Sequence, residues 1–370
     1  MKIVFFGLSI TSAWGNGHAT TYRSLLRELR QRGHEVVFWE RDTPWYAENR
    51  DLPSPAFSRT HLYEKLSDLK RFSSDIFDAD AIILGSYVPQ GVELANWLLR
   101  NARSPVAFYD IDTPVTLTKL RRKDYEYLRP ELIPRFDLYL SFTGGPTLDF
   151  LEQDYGARKA AALFCSVDPE LYYPHASRKH WDLGYLGTYS EDRQPTLERM
   201  MLHPARQHPA KRFAVAGSLY PHTLVWPENV ERFEHLPPQE HRAFYNAQKF
   251  ALNVTRRDMI CAGWSPSVRL FEAAACGTPI ITDRWRGLDA FFSPGEEILI
   301  ADSTEHVCSI LRDLPEKERG AIGQRALARV LKQHTSAHRA EELERLLLPL
   351  QHPAVQKSLS TPAAMQTSLP

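Results

Sequence analysis

The 370-residue sequence has few cysteines, no net charge and no long apolar run. Its four cysteines form no C-x-x-C pair, which argues for a reduced compartment and against structural zinc. Equal numbers of basic and acidic residues, 45 of each, argue against a nucleic-acid groove or a polybasic membrane patch. The first apolar run, residues 3–6, is too short for a secretion signal or a membrane span. We therefore expect a cytoplasmic protein without a transmembrane segment or a nucleic-acid partner.

Apolar runs alternate with amphipathic segments along the chain, and its length exceeds one ordinary hydrophobic core. This alternation predicts an α/β protein with doubly wound parallel sheets in two domains, and two domains imply a cleft. We predict strands at residues 2–6, 34–40, 80–84, 106–110, 138–141, 183–186, 213–216, 230–236, 250–254, 279–283 and 298–301. We predict helices at residues 18–32, 92–101, 195–203, 241–247, 268–276, 303–314 and 337–348.

A segment rich in Pro and Tyr, residues 169–174, interrupts this alternation and marks the passage between the domains. We accordingly place the first domain at residues 1–170 and the second at residues 171–335. Residues 336–350 form a predicted terminal helix. The last residues, 351–370, are polar and rich in Pro, Ser and Thr, so we expect them to be disordered.

The most informative stretch, residues 263–283, predicts a loop, a short apolar helix and a buried strand in succession. Ser265 or Ser267 is placed to cap the helix. Arg269 and Glu272 are three residues apart and share one helical face. Because burying either charge without a partner is costly, they either pair with each other or face a ligand. A nucleotide would satisfy both, with its ribose hydroxyls on Glu272 and its phosphates on Arg269 and the helix start.

This stretch resembles the C-terminal half of the GT-B nucleotide-sugar glycosyltransferases, in particular the branch similar to the spore-maturation protein CgeB. Four residues match the family's R-x-F-E-A-x-A-C-G-x-P helix: Arg269, Glu272, Gly277 and Pro279. In that family the Glu holds the ribose of the donor, and the loop before the helix faces the diphosphate. The better-known retaining members carry a second Glu eight residues earlier, at the position of Trp264 in this chain.

The resemblance implies a fold of two facing Rossmann-like domains, with the terminal helix returning to the first domain. It places Trp264, Ser265 and Ser267 in the donor site. The family has a similar G-L-D/E-x-x-F segment beside the donor pocket, so Gly287 and Leu288 are further donor candidates, although an ordinary helix start packed by its aromatics explains them equally well. Acceptor pockets of this fold are built from variable loops, which here points to residues 44–71.

A glycine-containing loop follows the first strand and contributes Gly15, Asn16, Gly17 and His18. The glycines allow a close backbone approach to a ligand, and the helix start favours phosphate. In the resembled family this loop lines the cleft near the donor diphosphate. His18 is therefore our candidate general base, since imidazole titrates near neutral pH, and a capping or core histidine is the alternative. Glu40, at the end of the second strand, would suit an NAD ribose and keeps a dinucleotide-binding interpretation open.

Asp110 and Asp112 follow a strand as an Asp-x-Asp pair. Two carboxylates on one loop can bridge a divalent ion and a diphosphate. The second Rossmann-like domain argues instead for a metal-free site. We assign both residues an acceptor-side or cleft-lining role and list them with His18 as catalytic candidates, against the alternative that they structure a turn.

Several further polar residues follow predicted strands of the second domain and therefore lie at the same sheet edge as Glu272. A transferase without a metal must stabilise the leaving diphosphate with cations and N–H donors, and surface or interdomain ion pairs are the alternative use of the arginines. The additional donor candidates are Gly187, Thr188, Arg193, Gly217, Ser218, Asn253 and Arg256.

From these observations we predict a metal-independent glycosyltransferase that moves a sugar from a nucleoside-diphosphate sugar to a hydroxyl of a small-molecule or glycan acceptor. No cofactor beyond the donor is expected. One alternative is an NAD(P)-dependent oxidoreductase that uses Gly15 and Gly17. The other is a degenerate transferase that binds a nucleotide sugar and regulates a partner, which Trp264 would permit. Nucleobase, sugar, stereochemistry and the choice between monomer and homodimer stay open.

Overall fold

The computed structural model describes residues 1–350, so the disorder expected for residues 351–370 lies outside the described part. Two parallel sheets form the two halves of the chain. The first has seven strands in the order β3-β2-β1-β4-β5-β6-β7. Their bounds are β1 Lys2–Gly7, β2 Glu35–Arg41, β3 Arg59–Tyr63, β4 Ala81–Gly85, β5 Val106–Asp110, β6 Leu138–Ser141 and β7 Ala160–Ala162.

The second sheet has six strands in the order β10-β9-β8-β11-β12-β13, again all parallel. Their bounds are β8 Trp181–Leu186, β9 Phe213–Ala216, β10 Val230–Phe233, β11 Gln248–Asn253, β12 Ile280–Thr282 and β13 Leu299–Ile300. In both sheets the order reverses beside the first strand of the half. Ligands of doubly wound sheets bind at such reversal points, outside the carboxyl ends of the strands.

Helices connect the strands within each half. In the first half they are α1 His18–Gln31, α2 Pro44–Ala47, α3 Leu66–Leu69, α4 Ser73–Phe77, α5 Gly91–Asn101, α6 Thr113–Arg121 and α7 Pro146–Gln153. In the second half they are α8 Gln194–Leu197, α9 His203–Gln207, α10 Pro238–Asn246, α11 Arg257–Ala262, α12 Val268–Ala275, α13 Thr304–Asp313, α14 Glu316–Gln333 and α15 Ser336–Leu347. Within residues 1–350, none of these helices is long and apolar enough to cross a bilayer.

The cores explain why the central strands are apolar throughout. Residues 3–6 of β1 are fully buried, because helices cover both faces of the first sheet. Phe5 and Ile83 belong to the core cluster on one face, whereas Val4 and Phe6 belong to the cluster on the other. A parallel sheet covered on both sides needs such continuous apolar runs.

The predicted fold class is confirmed, and most predicted elements lie within a few residues of their observed bounds. The sequence analysis missed two strands, β3 and β7, and eight helices, namely α2, α3, α4, α6, α7, α9, α11 and the long α14. Segment 44–71, expected to be a variable loop, is more structured than that, since it contains α2, α3 and the edge strand β3. The sequence of β3, Arg-Thr-His-Leu-Tyr, lacks the apolar run of a central strand. This edge strand pairs only with β2, and one of its five residues is buried.

The last helix, α15, packs on α1 of the first domain, as a crossing helix does. Glu344 accepts hydrogen bonds from Arg32, with an Nε–Oε1 distance of 2.9 Å, and lies against His34. Ser336 donates to Glu28 at the other end of the contact, 3.3 Å away. Burial raises the pKa of Glu344, but the hydrogen bonds from Arg32 and His34 outweigh it and leave the pKa below its usual range. The ionised carboxylate therefore stabilises the return of the chain.

We predict that Glu344→Gln lowers the free energy of unfolding by about 1 kcal/mol, because a partly exposed charge-assisted contact is replaced by a neutral one. Thermal unfolding followed by calorimetry measures this change. Glu341→Gln is the matched control, since Glu341 is exposed on the same helix and forms no ion pair within residues 1–350. Equal stabilities of the two variants would contradict the assignment.

Candidate functional site

A cavity of about 250 Å³ lies between the two domains, at the carboxyl ends of both sheets. The first domain contributes the loop after β1 and the start of α1. The second contributes the loops after β8, β9 and β10, one face of α10 and the first turns of α12. Of the predicted donor residues, those that line this donor cavity are Gly15, Asn16, Gly17, Gly187, Thr188, Arg193, Gly217, Ser218, Arg269 and Glu272.

Glu272 is only 4% exposed, yet its side chain lines the donor cavity. Its Oε2 accepts a hydrogen bond of 3.0 Å from the hydroxyl of Tyr245 on α10. Glu272 and Arg269 form no ion pair within the described chain, so the pairing alternative is wrong. Gly277 ends α12 with a φ of +66°, a conformation that favours glycine, and lets the chain enter β12. The helix thus delivers a carboxylate with unused acceptor capacity to the cleft.

Arg269 is held by the ends of two neighbouring strands. Its Nε donates to the carbonyl oxygen of Leu186 in β8, and its Nη1 donates to Oδ1 of Asn253 in β11, 2.7 Å away. The guanidinium also lies over the ring of Tyr185, 4.8 Å from the centroid. Its Nη2 forms no hydrogen bond within residues 1–350. The anchored cation therefore has one amino group, Nη2, free to donate hydrogen bonds to a ligand in the cavity.

Arg193 supplies a second cation to the same wall. Its Nη2 donates to the carbonyl oxygen of Thr188, 2.6 Å away, and its Nε is buried without a hydrogen-bond partner in the described chain. Burial lowers the pKa of Arg193, and the neighbouring cations Arg269 and Arg256 lower it further, against the opposing effect of Tyr185. A partly desolvated cation without an acidic partner favours an anionic ligand.

Gly187 and Gly217 let the two strand-end loops approach each other at the cavity wall. A Cβ atom on Gly217 would lie 2.1 Å from the carbonyl oxygen of Gly187. A Cβ on Gly187 would lie 2.6 Å from the hydroxyl of Tyr185 and 2.8 Å from Nη2 of Arg269. The absence of side chains at both positions is therefore a steric requirement.

The loop after β1 faces these groups from the first domain. Asn16 is buried and organises the loop, because its Nδ2 donates to the carbonyl oxygens of Ser9 and Ser12 and its Oδ1 accepts from the backbone N–H of His18. Gly15 has a φ of +59°, and a Cβ on Gly17 would meet open space. The loop thus presents backbone rather than side chains to the cavity.

His18 lies beside the donor cavity and does not line it. Its imidazole stacks with Tyr87 at a centroid distance of 5.9 Å, and its ring nitrogens form no hydrogen bond within residues 1–350. Burial lowers the pKa of His18, the Asp112 carboxylate opposes this, and the Arg256 guanidinium adds to it. The ring is therefore neutral near pH 7 and has a lone pair available for a proton.

The two aspartates of the Asp-x-Asp pair have different surroundings. Asp112 faces the cleft, where its Oδ2 accepts from the hydroxyl of Tyr87 at 3.0 Å and lies 3.5 Å from Nη1 of Arg256 in the second domain. Asp110 is fully buried and accepts from the hydroxyls of Tyr139 and Thr116 at 2.6 and 2.7 Å. Asp110 therefore does not line the cleft, which corrects our placement of it.

Burial raises the pKa of Asp110 to about 6, although the hydrogen bonds from Tyr139 and Thr116 oppose the rise. A carboxyl group with these two hydroxyl partners connects β5, α6 and β6 inside the first domain. The sequence could not separate it from Asp112, since both follow the same strand. In an extended strand the side chains of Asp110 and Asp112 would point to the same side. Asp112 is instead the N-cap residue of α6, and this change of backbone direction turns its side chain toward the cleft.

Glu40 is not available to a dinucleotide ribose. It is fully buried and accepts four hydrogen bonds, from the hydroxyls of Ser9 and Thr11 and from the backbone N–H groups of Ile10 and Thr11, at 2.6–3.0 Å. These contacts use its two oxygens to fix the loop after β1. The oxidoreductase alternative therefore has no free carboxylate at Glu40 to bind the ribose of NAD(P).

Trp264 does not line the donor cavity and instead joins the two domains. Its ring lies over Gly145 of the first domain and Gly287 of the second, where a Cβ would lie 2.6 and 2.4 Å from the indole. Its carbonyl oxygen accepts from the N–H of Gly144, 3.0 Å away, and its φ is +42°. The position that carries a Glu in the better-known members is thus occupied by an interdomain wedge.

Four other donor candidates also lie outside the cavity lining. Ser265 is buried and shares a hydrogen bond of 2.9 Å with Thr143 across the domain interface. Gly287 lies under the wedge, and Leu288 is buried in the core. Ser267 occupies the N-cap position of α12, but its hydroxyl caps no backbone N–H and lies 3.4 Å from Nη1 of Arg269. These residues do not line the donor cavity, and their predicted donor contacts stay predictions.

Asn253 and Arg256 do not line the cavity but contact residues at or beside it. Asn253 is fully buried and positions Arg269, whereas Arg256 pairs with Asp112 beside His18. The cavity also has lining residues that the sequence analysis did not select, namely Ala13, Thr20, Leu186, His235, Leu236, Pro238, His241, Tyr245 and Val268. The strand predicted at residues 230–236 hid His235, because β10 ends early at Phe233 and leaves a loop. Within residues 1–350, no group of three or more His, Cys, Asp or Glu side chains could hold a metal ion.

Residues 193–345 match the family model described as "Glycosyl transferase-like". This match covers the second domain from Arg193 onward, including α12. No curated protein matches the chain in sequence.

The structure is similar to several solved structures over nearly their whole lengths. Anabaena Alr3699/HepE, solved with UDP-glucose, has a TM-score of 0.69 and 15% identity, covering 95% of this chain and 100% of that one. Sucrose-phosphate synthase from Thermosynechococcus elongatus has a TM-score of 0.67 and 15% identity, covering 94% and 98%. An alpha-glucosyltransferase (AGT) solved with UDP has a TM-score of 0.69 and 14% identity, covering 94% and 99%. The chain thus has the GT-B fold of two facing Rossmann-like domains, and its second domain matches a glycosyl transferase-like family.

Proposed function

We propose that this protein transfers a sugar from a nucleoside-diphosphate sugar to a hydroxyl group of an acceptor. The observation that carries the proposal is the donor cavity itself, in which the carboxylate of Glu272 and the free Nη2 of Arg269 face a glycine loop across the cleft. The match of residues 193–345 to a glycosyl transferase-like model supports it. So do the UDP-glucose and UDP bound to two proteins of the same fold.

The charges of the cavity suit the two parts of a nucleoside diphosphate. Glu272 retains acceptor capacity beyond its bond to Tyr245, which suits the paired hydroxyls of a ribose. Arg193 and Arg269 lie along the wall toward the loops after β8 and β9, where the diphosphate would take their unused N–H groups. We propose that these cations, rather than a metal ion, balance the charge of the leaving group.

In the proposed reaction the acceptor oxygen forms a bond to the anomeric carbon of the sugar. The bond between that carbon and the diphosphate oxygen breaks, and its electron pair leaves with the nucleoside diphosphate. The acceptor hydroxyl loses its proton to the neutral imidazole of His18. Tyr87 stacks on that ring and positions it, and the Asp112 carboxylate opposes the lowering of its pKa by burial.

The Trp264 wedge favours a second candidate, a protein of the same fold that binds a nucleotide sugar without transferring it. The wedge fills the position of a Glu of better-known members, and the cleft retains the groups for binding. Release of nucleoside diphosphate from a panel of donors, with and without acceptors, separates the two candidates. Binding without any release supports the second candidate.

We predict that Glu272→Gln weakens UDP binding about 10-fold or more, because a charged acceptor for two ribose hydroxyls becomes a neutral one. Glutamine preserves the size of the side chain and an oxygen for Tyr245, so the fold should persist. Isothermal titration calorimetry with UDP, GDP and TDP measures the affinity. Glu240→Gln on exposed α10 surface is the control. An unchanged affinity in the folded Glu272→Gln variant would refute the ribose assignment.

We predict that His18→Gln lowers turnover about 100-fold or more, with a much smaller change in donor affinity. The base must be neutral, so the wild-type rate should fall as the pH drops through the pKa of His18, which burial lowers from that of an ordinary imidazole. The variant should lack this acid limb. A pH series of initial rates tests both statements, with exposed His306→Gln as the control. An acid limb that persists in His18→Gln assigns the base to another group.

A further inference from the structure

A second and larger groove, of about 920 Å³, opens beside the donor cavity. The two spaces share Gly15, Thr188, Gly217 and Ser218 in their linings. The shared residues lie beside the two arginines of the donor cavity, since Arg193 donates to the carbonyl oxygen of Thr188 and Nη2 of Arg269 approaches Gly187. Glu272 and Tyr245 do not line the groove. A ligand that leaves the donor cavity past the proposed diphosphate position therefore enters this groove.

Aromatic rings from both domains line the groove: Trp14 and Trp45 from the first, Tyr220 and Trp226 from the second. Trp45 is 59% exposed, so its indole is left largely uncovered. Trp14 is 37% exposed and is held in place by His235 of the facing domain, with ring centroids 4.3 Å apart. We call this space the aromatic groove. Its uncovered ring surface is mainly that of Trp45, because Trp14 packs on His235 and the guanidinium of Arg232 covers one face of Tyr220 and of Trp226.

The floor of the aromatic groove is built around Arg232. Its guanidinium lies between Tyr220 and Trp226, 4.3 and 4.0 Å from the ring centroids, and Nη2 donates to the carbonyl oxygen of Gly217, 3.2 Å away. Its Nη1 is buried without a hydrogen-bond partner in residues 1–350. Glu234 lines the same groove and carries the opposite charge. The floor thus offers a free donor, and Glu234 adds a negative charge to the lining without forming an ion pair with Arg232 in residues 1–350.

We propose that the aromatic groove binds a neutral saccharide and that the acceptor of this protein is a sugar. This inference rests on the proposed function. A pyranose ring has one face of C–H groups, which packs on indole, and a rim of hydroxyls, which suits Arg232, Glu234, Thr188 and Ser218. A volume in the range of pockets for drug-sized ligands leaves room for more than one sugar ring.

Two other occupants fit the groove less well. A flat aromatic acceptor would stack on the rings but would leave the hydroxyl, carboxylate and guanidinium groups of the lining without partners. The nucleobase of the donor is attached to the ribose, and the proposed ribose ligand Glu272 lines the donor cavity but not the groove. The opposite charges of Arg232 and Glu234 favour an uncharged ligand over an acidic or basic one.

Saturation-transfer NMR on the full chain with saturating UDP tests the proposal. The probes are a panel of neutral saccharides (maltose, cellobiose, lactose, and methyl glycosides of glucose, galactose and mannose) and a panel of phenols (4-nitrophenol, catechol and 2-naphthol). We expect transfer to the C–H protons of at least one saccharide. Trp45→Ala should weaken that binding at least 10-fold. Val225→Ser is the control, because Val225 is 77% exposed and lies outside the groove lining.

Each outcome decides the proposal. Saccharide binding that depends on Trp45 and persists in Val225→Ser supports it. Transfer to phenols alone, or no transfer to any saccharide, overturns it. A loss of UDP affinity in Trp45→Ala as large as the loss of saccharide affinity also overturns it, since the groove would then hold the nucleobase. UDP titration of the wild-type protein separates these results from a failure of the proposed function, which would abolish UDP binding.

Discussion

The anchoring of Arg269 is the interaction on which the donor cavity depends. Arg269 is only 8% exposed, and its charge is tolerated because a carbonyl oxygen of β8, the amide of Asn253 in β11 and the ring of Tyr185 all contact its guanidinium. Asn253 can serve this purpose because its own Nδ2 donates to Thr255 and Thr282. The cation is thus fixed by the sheet itself, which leaves the remaining N–H groups directed at the cleft.

Direct contacts between side chains also fix the position of the two domains relative to each other. Trp264, Ser265 and the Asp112–Arg256 pair all join the domains directly, and α15 connects them a second time through α1. Trp264, Ser265, Asp112 and Arg256 do not line the donor cavity. Because the cavity is built by loops of both domains, the relative placement of the domains sets its width. The geometry of the cleft therefore depends on the interface between the domains as well as on the two sheets.

Placement at the carboxyl edge was predictable where a residue directly follows a central strand. Gly187, Thr188, Gly217 and Ser218 all line the cavity, since a parallel sheet brings the ends of its strands to one edge. The helix with Arg269 and Glu272 was recognisable because charges on an otherwise apolar helix need partners. Leu288 and Ser265 were misplaced, because neighbours far away in sequence decide whether a loop residue faces the cleft or the core.

The sequence by itself determined the α/β class, the two halves and the helix that carries Glu272, because apolar periodicity and a terminating glycine are local signals. Only the tertiary structure decided that Glu40 and Asp110 are buried inside the first domain, that Asp112 reaches Arg256, and that Trp264 joins the domains. These outcomes depend on partners that lie tens to more than a hundred residues away along the chain. No local pattern records which of two similar carboxylates the packed fold leaves facing the cleft.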